Sequence, residues 1–185
     1  RNAPCGEPAP LAADAVKMKA VVYRCYGGPE VLRVEDIAKP ALEAGRVLIR
    51  VHAASANPLD WHYMRGEPYI MRGSSGFGAP KNIRVGADFA GTVEAVGPGV
   101  TRFKPGDEVF GGASGAFAEY VNVRESGAVV LKPANVSFEQ VATVPIAAIT
   151  ALQALRDKGR IQAGQKVLIN GASGGVGTFA VQIAK

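Results

Sequence analysis

Cysteine is nearly missing from this 185-residue sequence, which has two, Cys5 and Cys25, beside 23 glycines and 12 prolines. Two cysteines cannot build a disulfide framework or a cysteine-rich zinc site. No motif surrounds Cys25, which reads as a small apolar residue at a strand end, and a reducing, cytoplasmic setting is expected. Histidine is as rare, with His52 and His62 alone, and aromatic residues make up 7% of the chain. Long hydrophobic runs are also lacking. Val141 to Leu155 is uncharged but too short to cross a bilayer, and Val167 to Ala184 is broken by Asn, Ser, Gln and glycines, so membrane insertion is not expected. Basic clusters are missing too: net charge is +5, but the densest groups are pairs such as Arg102/Lys104 and Lys158/Arg160. With no aromatic interleaving, nucleic-acid binding is not expected. Residues Arg1 to Val16 are rich in Ala and Pro, show no periodicity and lack a signal-peptide pattern, and they read as a disordered extension.

What the sequence does hold is a series of short β-branched runs separated by turns. Ala20 to Tyr23, Val31 to Val34, Val47 to Val51, Gly91 to Gly97, Glu108 to Phe110, Ala116 to Val123 and Val129 to Leu131 read as strands. Regular turn signals between them, such as Gly27-Gly28-Pro29 and Lys104-Pro105-Gly106-Asp107, point to a small β-barrel-type domain over residues 17–136. Gly66 to Arg84 has no period and reads as an exposed loop near function. At Ser137 the texture changes. Ser137 and Gln140 form a capping-box signature, and Pro145 interrupts the helix it opens. A second helix is expected over Ile146 to Lys158, with Ile149, Leu152 and Leu155 on one face. Then come an apolar strand, Val167 to Ile169, a glycine loop, and a helix from Val176 to Lys185. Residues 137–185 thus read as a helical connection and the first βα unit of a parallel α/β domain, and the chain as mixed α/β.

The chemistry is written most plainly in that loop. Gly171, Gly174 and Gly177 fall three apart, right after an expected strand and at the opening of a helix. A tight turn there lets backbone N–H groups approach a pyrophosphate without Cβ hindrance, and the helix N-terminus adds partial positive charge. Gly171, Ala172, Ser173, Gly174, Gly175, Val176 and Gly177 are the cofactor-binding candidates, with a tight helix-entry loop that holds no ligand as the other reading. The acidic residue that would read the ribose is expected beyond Lys185, so NAD and NADP are not distinguished here.

Around this loop the sequence resembles the signature of the zinc-independent quinone oxidoreductase (zeta-crystallin-like) branch of the medium-chain dehydrogenase/reductase superfamily. The elements are Gly164-Gln165, Leu168, Ala172 to Gly175, Gly177, Gln182 and Lys185. Upstream, Tyr26 to Leu32, Asn57 to Asp60, Gly86 to Gly91 and Lys104 to Val109 agree in order. The resemblance implies a GroES-like domain followed by the start of a Rossmann domain. It also implies an NADPH or NADH cofactor, NADPH favoured, and a small-molecule acceptor such as a quinone, an enone or an activated carbonyl. It further implies a homodimer for the full-length protein. Alternatively, the chain is a catalytically inactive fragment, or a full-length relative binds NADPH as a scaffold protein.

The resemblance also assigns residues. Where zinc alcohol dehydrogenases place metal ligands, this sequence has Asn57, Ala87 and a position near Ile146, so no metal is expected. Asn57 would lie against the nicotinamide end of the cofactor, a plain Asn-Pro turn being the other reading, and Thr150 matches a cofactor-contacting Thr. His62 stands where alcohol dehydrogenases carry a proton-relay His; it would contact the ribose or shuttle a proton, or else be a solvated His beside Trp61. Tyr69 resembles a substrate-side Tyr. Asp60 reads as a scaffold carboxylate and His52 as structural.

Overall fold

The computed structural model describes residues 5–6 and 10–185. Of the expected disordered extension, residues 1–4 and 7–9 lie outside the described ones. β1 (Lys17–Val22) pairs antiparallel with β2 (Arg33–Ala38) through a 3-10 turn at Pro29–Val31. The strand expected at Val31 therefore begins two residues later, because Pro29 opens a turn that closes with Leu32 N–H donating to its carbonyl. A second sheet has five antiparallel strands in the order β6 (Tyr120–Arg124), β3 (Arg46–Ser55), β4 (Asp88–Val96), β5 (Glu108–Gly112) and β7 (Val129–Leu131).

The two sheets are joined edge to edge. Val21 N–H donates to Phe117 O, Tyr23 N–H to Ile83 O and Glu119 N–H to Lys19 O. Those bonds occupy Phe117 to Glu119, which is why β6 starts at Tyr120 and not at Ala116. The result is a curled half-barrel whose inward positions, Val47, Ile49, Phe89, Val93, Val109, Val121 and Val129, form one buried cluster with Phe103 and Ala116. Register breaks at Leu48/Ile49 and Val51/Ala53 bend β3 around that core, as bulges do.

Short helices cover the open end: α1 (Pro58–Arg65), α2 (Arg72–Ser75), α3 (Phe138–Ala142), α4 (Pro145–Leu152) and α5 (Gly175–Ala184). α3 is capped as its sequence requires, Gln140 N–H donating to Ser137 Oγ and Ser137 N–H to Gln140 Oε1. Two expectations are corrected here. The helix after Pro145 keeps α geometry only to Leu152 and widens to a π-helical turn over Gln153–Lys158. Its buried side is Ala147 and Ala151, not Ile149, which is 45% exposed. Small residues on α4 let it pack closely on Gly177 and Ala180 of α5, since interhelical distance follows side-chain size. Val167 to Ile169 is not a strand, because it has no ladder partner among the described residues, and Leu168 is 97% exposed.

A third correction concerns the cysteines. Cys5 and Cys25 are joined as a disulfide, Cα to Cα 5.0 Å, which ties Cys5 to the bend that follows β1. Thiol titration of the unfolded, unreduced protein is expected to find neither cysteine free. Two reactive thiols before reduction would contradict the pairing.

Candidate functional site

The site begins at the end of β3. Asn57 caps α1, and the carboxylate of Asp60, three residues on, accepts from its backbone N–H at 2.7 Å. Asp60 N–H donates in return to the Asn57 carbonyl at 3.0 Å, and the two bonds fix the turn, the scaffold role expected of Asp60. Asp88, at the start of β4, has no exposed surface. Its carboxylate accepts from Asn57 Nδ2 at 3.1 Å, from Ser55 Oγ at 3.3 Å and from the backbone N–H of Ile146 at 3.2 Å. Gly86, two residues earlier, has φ +98° and lies against Phe117 N, where a Cβ would come within 2.5 Å. Glycine is required there for the chain to turn into β4 at that depth.

Burial pushes the Asp88 carboxyl above the ordinary carboxylate range, opposed by its hydrogen bonds from Ile146, Asn57 and Ser55. Asp60 is raised as well, by burial first and then by the nearby Asp88 charge, against backbone hydrogen bonds from Asn57 and Gly86. Sequence reading missed Asp88 as the hub of this network. It joins Asn57 directly to Ile146, two of the three positions where the zinc enzymes carry ligands, and Ala87 is its neighbour in the chain. An amide, a methyl and a sec-butyl group offer no zinc donor set, and the residues do not fit a metal. Among the described residues, no three or more His, Cys, Asp or Glu side chains gather as candidate ligands.

Two clefts flank the network. One, about 350 Å³, is lined by Asn57, Pro58, Ile146, Ala147, the loop from Ile169 to Gly171, and Gly174 to Gly177. Gly174 is the N-cap of α5 and offers no side-chain cap, so the first amides of the helix remain available to an anion. Six of the cofactor candidates, Asn57, Gly171, Gly174, Gly175, Val176 and Gly177, meet in this one cleft. Thr150, exposed on α4, and Ala172 and Ser173 in the loop do not line it.

The other cleft, about 430 Å³, is lined by Tyr23, Leu59, Asp60, Tyr63 and Ile146, by Lys81, Asn82 and Arg84 to Ala87, and by Gly112 to Ser114. Gly66 to Arg84 supplies its outer wall through Ser74, Ser75, Lys81, Asn82 and Arg84, and is not merely loop: it contains a 3-10 turn at Tyr69–Met71 and α2. The two catalytic candidates line neither cleft. His62 Nδ1–H donates to Glu67 O at 2.7 Å, since a carbonyl can only accept, and its ring meets Trp61 edge-on. Tyr69 is 69% exposed and lies under the Arg72 guanidinium, 4.7 Å from the ring centroid. His52 bonds Thr92 Oγ1 at 2.9 Å and packs on Phe138.

Comparison with known proteins bears on the family and the fold. Residues 43–134 match the alcohol dehydrogenase GroES-like domain, and a rat quinone oxidoreductase is 39% identical over 178 residues, 95% of this chain and 52% of the relative. The chain belongs to the medium-chain dehydrogenase/reductase superfamily. Among solved structures of the superfamily, a quinone oxidoreductase from Coxiella burnetii superposes with a TM-score of 0.83 at 34% identity, covering 91% of this chain and 53% of that one. A mycobacterial protein solved in complex with NADPH gives a TM-score of 0.77 at 31% identity, covering 89% of this chain and 48% of that one. The chain spans about half the length of the curated relatives it matches. Within the superfamily its likeness is to quinone oxidoreductases, and the half-barrel is the GroES-like domain.

Proposed function

We propose that the full-length protein is a metal-independent, NADPH-dependent reductase of quinones, enones or related activated carbonyls. The observation that carries this reading is the pair of clefts sharing Ile146, one built on the glycine loop and one on the GroES-like domain, with no ligand set between them. The glycine loop fits a dinucleotide. Gly171 turns at φ +72°, and at Gly177 a Cβ would come within 2.1 Å of Gly171 O, so loop and helix meet at a distance only glycine permits. When bound, the nicotinamide supplies hydride from C4 to the acceptor.

The chain's own residues then position and exclude water. Gly174 to Gly177 would hold the pyrophosphate, and Asn57, fixed by Asp60 and Asp88, would face the nicotinamide end. The raised Asp60 carboxyl stands at the floor of the acceptor cleft. His62 and Tyr69 are proposed proton and acceptor contacts that would have to act from outside the cleft. No described helix is long and apolar enough to cross a membrane.

The test is NADPH oxidation by the full-length protein with 9,10-phenanthrenequinone, with and without EDTA, beside elemental analysis. Turnover unaffected by chelation and zinc far below one per chain are the expected results. NADPH binding without turnover across a quinone panel would favour a scaffold role, and stoichiometric zinc would overturn metal independence.

A further inference from the structure

The acceptor cleft is electrically lopsided. Its floor holds Asp60, the one acid in the lining among the described residues, and the apolar surfaces of Tyr23, Val85, Ala87 and Leu59. Its mouth holds two cations, Lys81 and Arg84. Neither side chain makes an ion pair, a hydrogen bond or a ring contact with any described residue, although most other cations around the barrel have partners, such as Arg24 with Glu35 and Lys132 with Glu108. Of the cleft's other polar groups, the Asn82 amide and the serines are already engaged, while the Tyr23 and Tyr63 hydroxyls, also in the lining, are neutral. Asn82 Nδ2 donates to Ser114 Oγ at 2.6 Å, Asn82 Oδ1 accepts from Arg84 N–H, and Ser74 and Ser75 both donate to Met71 O. These bonds brace the mouth and leave Lys81 and Arg84 as the free charged donors of the lining among the described residues.

Arg84 is also held in place. Its stem packs over Gly115, where a Cβ would come within 2.8 Å of Arg84 Cβ, and burial pulls its guanidinium below the ordinary value with no counter-charge to restore it. A half-buried, unpaired guanidinium in one cleft with an exposed lysine is an arrangement that recognises a carboxylate. The cleft volume suits a small ligand.

We propose that this cleft takes an acceptor bearing a carboxylate, seated with the acid at Arg84 and Lys81 in the mouth, away from the Asp60 carboxyl, and with the uncharged reducible double bond directed inward. This extends the reductase reading to a substrate class and rests on it. Asp60 and the cation pair would together fix the direction in which such a molecule enters.

The probe is 3-benzoylpropionate against its methyl ester, a pair that cannot be reduced at a conjugated double bond and differs by the negative charge and one methyl group. Isothermal titration into the full-length protein is expected to show the acid binding at least tenfold more tightly, with the preference shrinking as salt is raised. Arg84→Met together with Lys81→Met should abolish the preference. Lys81→Met alone, at an exposed position, should reduce it without any risk to folding. With the reducible pair, 3-benzoylacrylate and its methyl ester, the double variant should lower the acid-to-ester ratio of kcat/KM about tenfold, through KM for the acid. Equal binding of acid and ester, or a preference that survives both substitutions, would overturn the proposal. Acid-selective binding without NADPH consumption would keep the anion site and remove the reductase reading.

Discussion

Gly174→Val in the full-length protein is expected to weaken NADPH binding tenfold or more, about 1.4 kcal/mol, while leaving the fold intact. The two halves of that expectation come from one geometric fact. A Cβ at Gly174 would meet only Gly171 O, at 3.4 Å, and the residue has φ −80° and ψ 170°, a conformation open to any amino acid. Valine therefore has room in the protein, and that room is the space in front of the α5 amides. Gly177→Ala supplies the contrast. Its Cβ would lie 2.1 Å from Gly171 O and 2.7 Å from Ala172 Cα, so the loop itself must move, and loss of stability should accompany loss of binding. Fluorescence titration with NADPH, beside thermal unfolding of both variants, separates them. Unchanged affinity in a folded Gly174→Val protein would remove the loop from the cofactor site.

Asp88→Ala is expected to cost about 3 kcal/mol, because it strands Asn57 Nδ2 and the Ile146 N–H without an acceptor in a buried place. The isosteric change Asp88→Asn keeps an acceptor and tests the electrostatics instead. Burial raises the Asp88 carboxyl in the folded protein, so the folded state favours the proton. That contribution is fully present below the ordinary carboxylate pKa and is lost as pH rises through the higher folded value. Removing Asp88's charge also relieves the upward push on Asp60. The stability of Asp88→Asn relative to the parent should therefore rise as pH is raised from the ordinary carboxylate range toward neutrality. Urea unfolding at several pH values reads this difference, and a difference that falls with pH would show that the hydrogen bonds outweigh the burial.

Local signals made much of the molecule legible. The β-branched runs at Val47 to Val51 and Gly91 to Val96, the Ser137/Gln140 cap and the glycine loop each declare themselves within a few residues, and each is found. What escaped depends on partners far away in the chain. Asp88 meets Asn57 and Ile146 across 31 and 58 residues, and nothing near Asp88 marks it as a hub. Cys5 and Cys25 are not paired by any spacing rule. Val167 to Ile169 has strand composition, but a strand is a ladder and needs a neighbour. On α4 the reading followed the large side chains, whereas Ala147 and Ala151 make the contact because close helix packing selects small ones. Lys81 and Arg84 sat in plain view as scattered charge; only their shared cleft and missing partners single them out.

Ile146 belongs to the walls of both clefts, and its backbone is anchored by Asp88. A side chain shared in this way puts the two ligands into one thermodynamic cycle. Any acceptor that shifts Ile146 alters nucleotide affinity by the same factor by which the nucleotide alters affinity for that acceptor. Acceptor range and cofactor affinity are then not separate traits. Enlarging the acceptor cleft by trimming Ile146 would open the nucleotide cleft in the same stroke, and selection for bulkier acceptors would be felt first as a change in how tightly the cofactor stays.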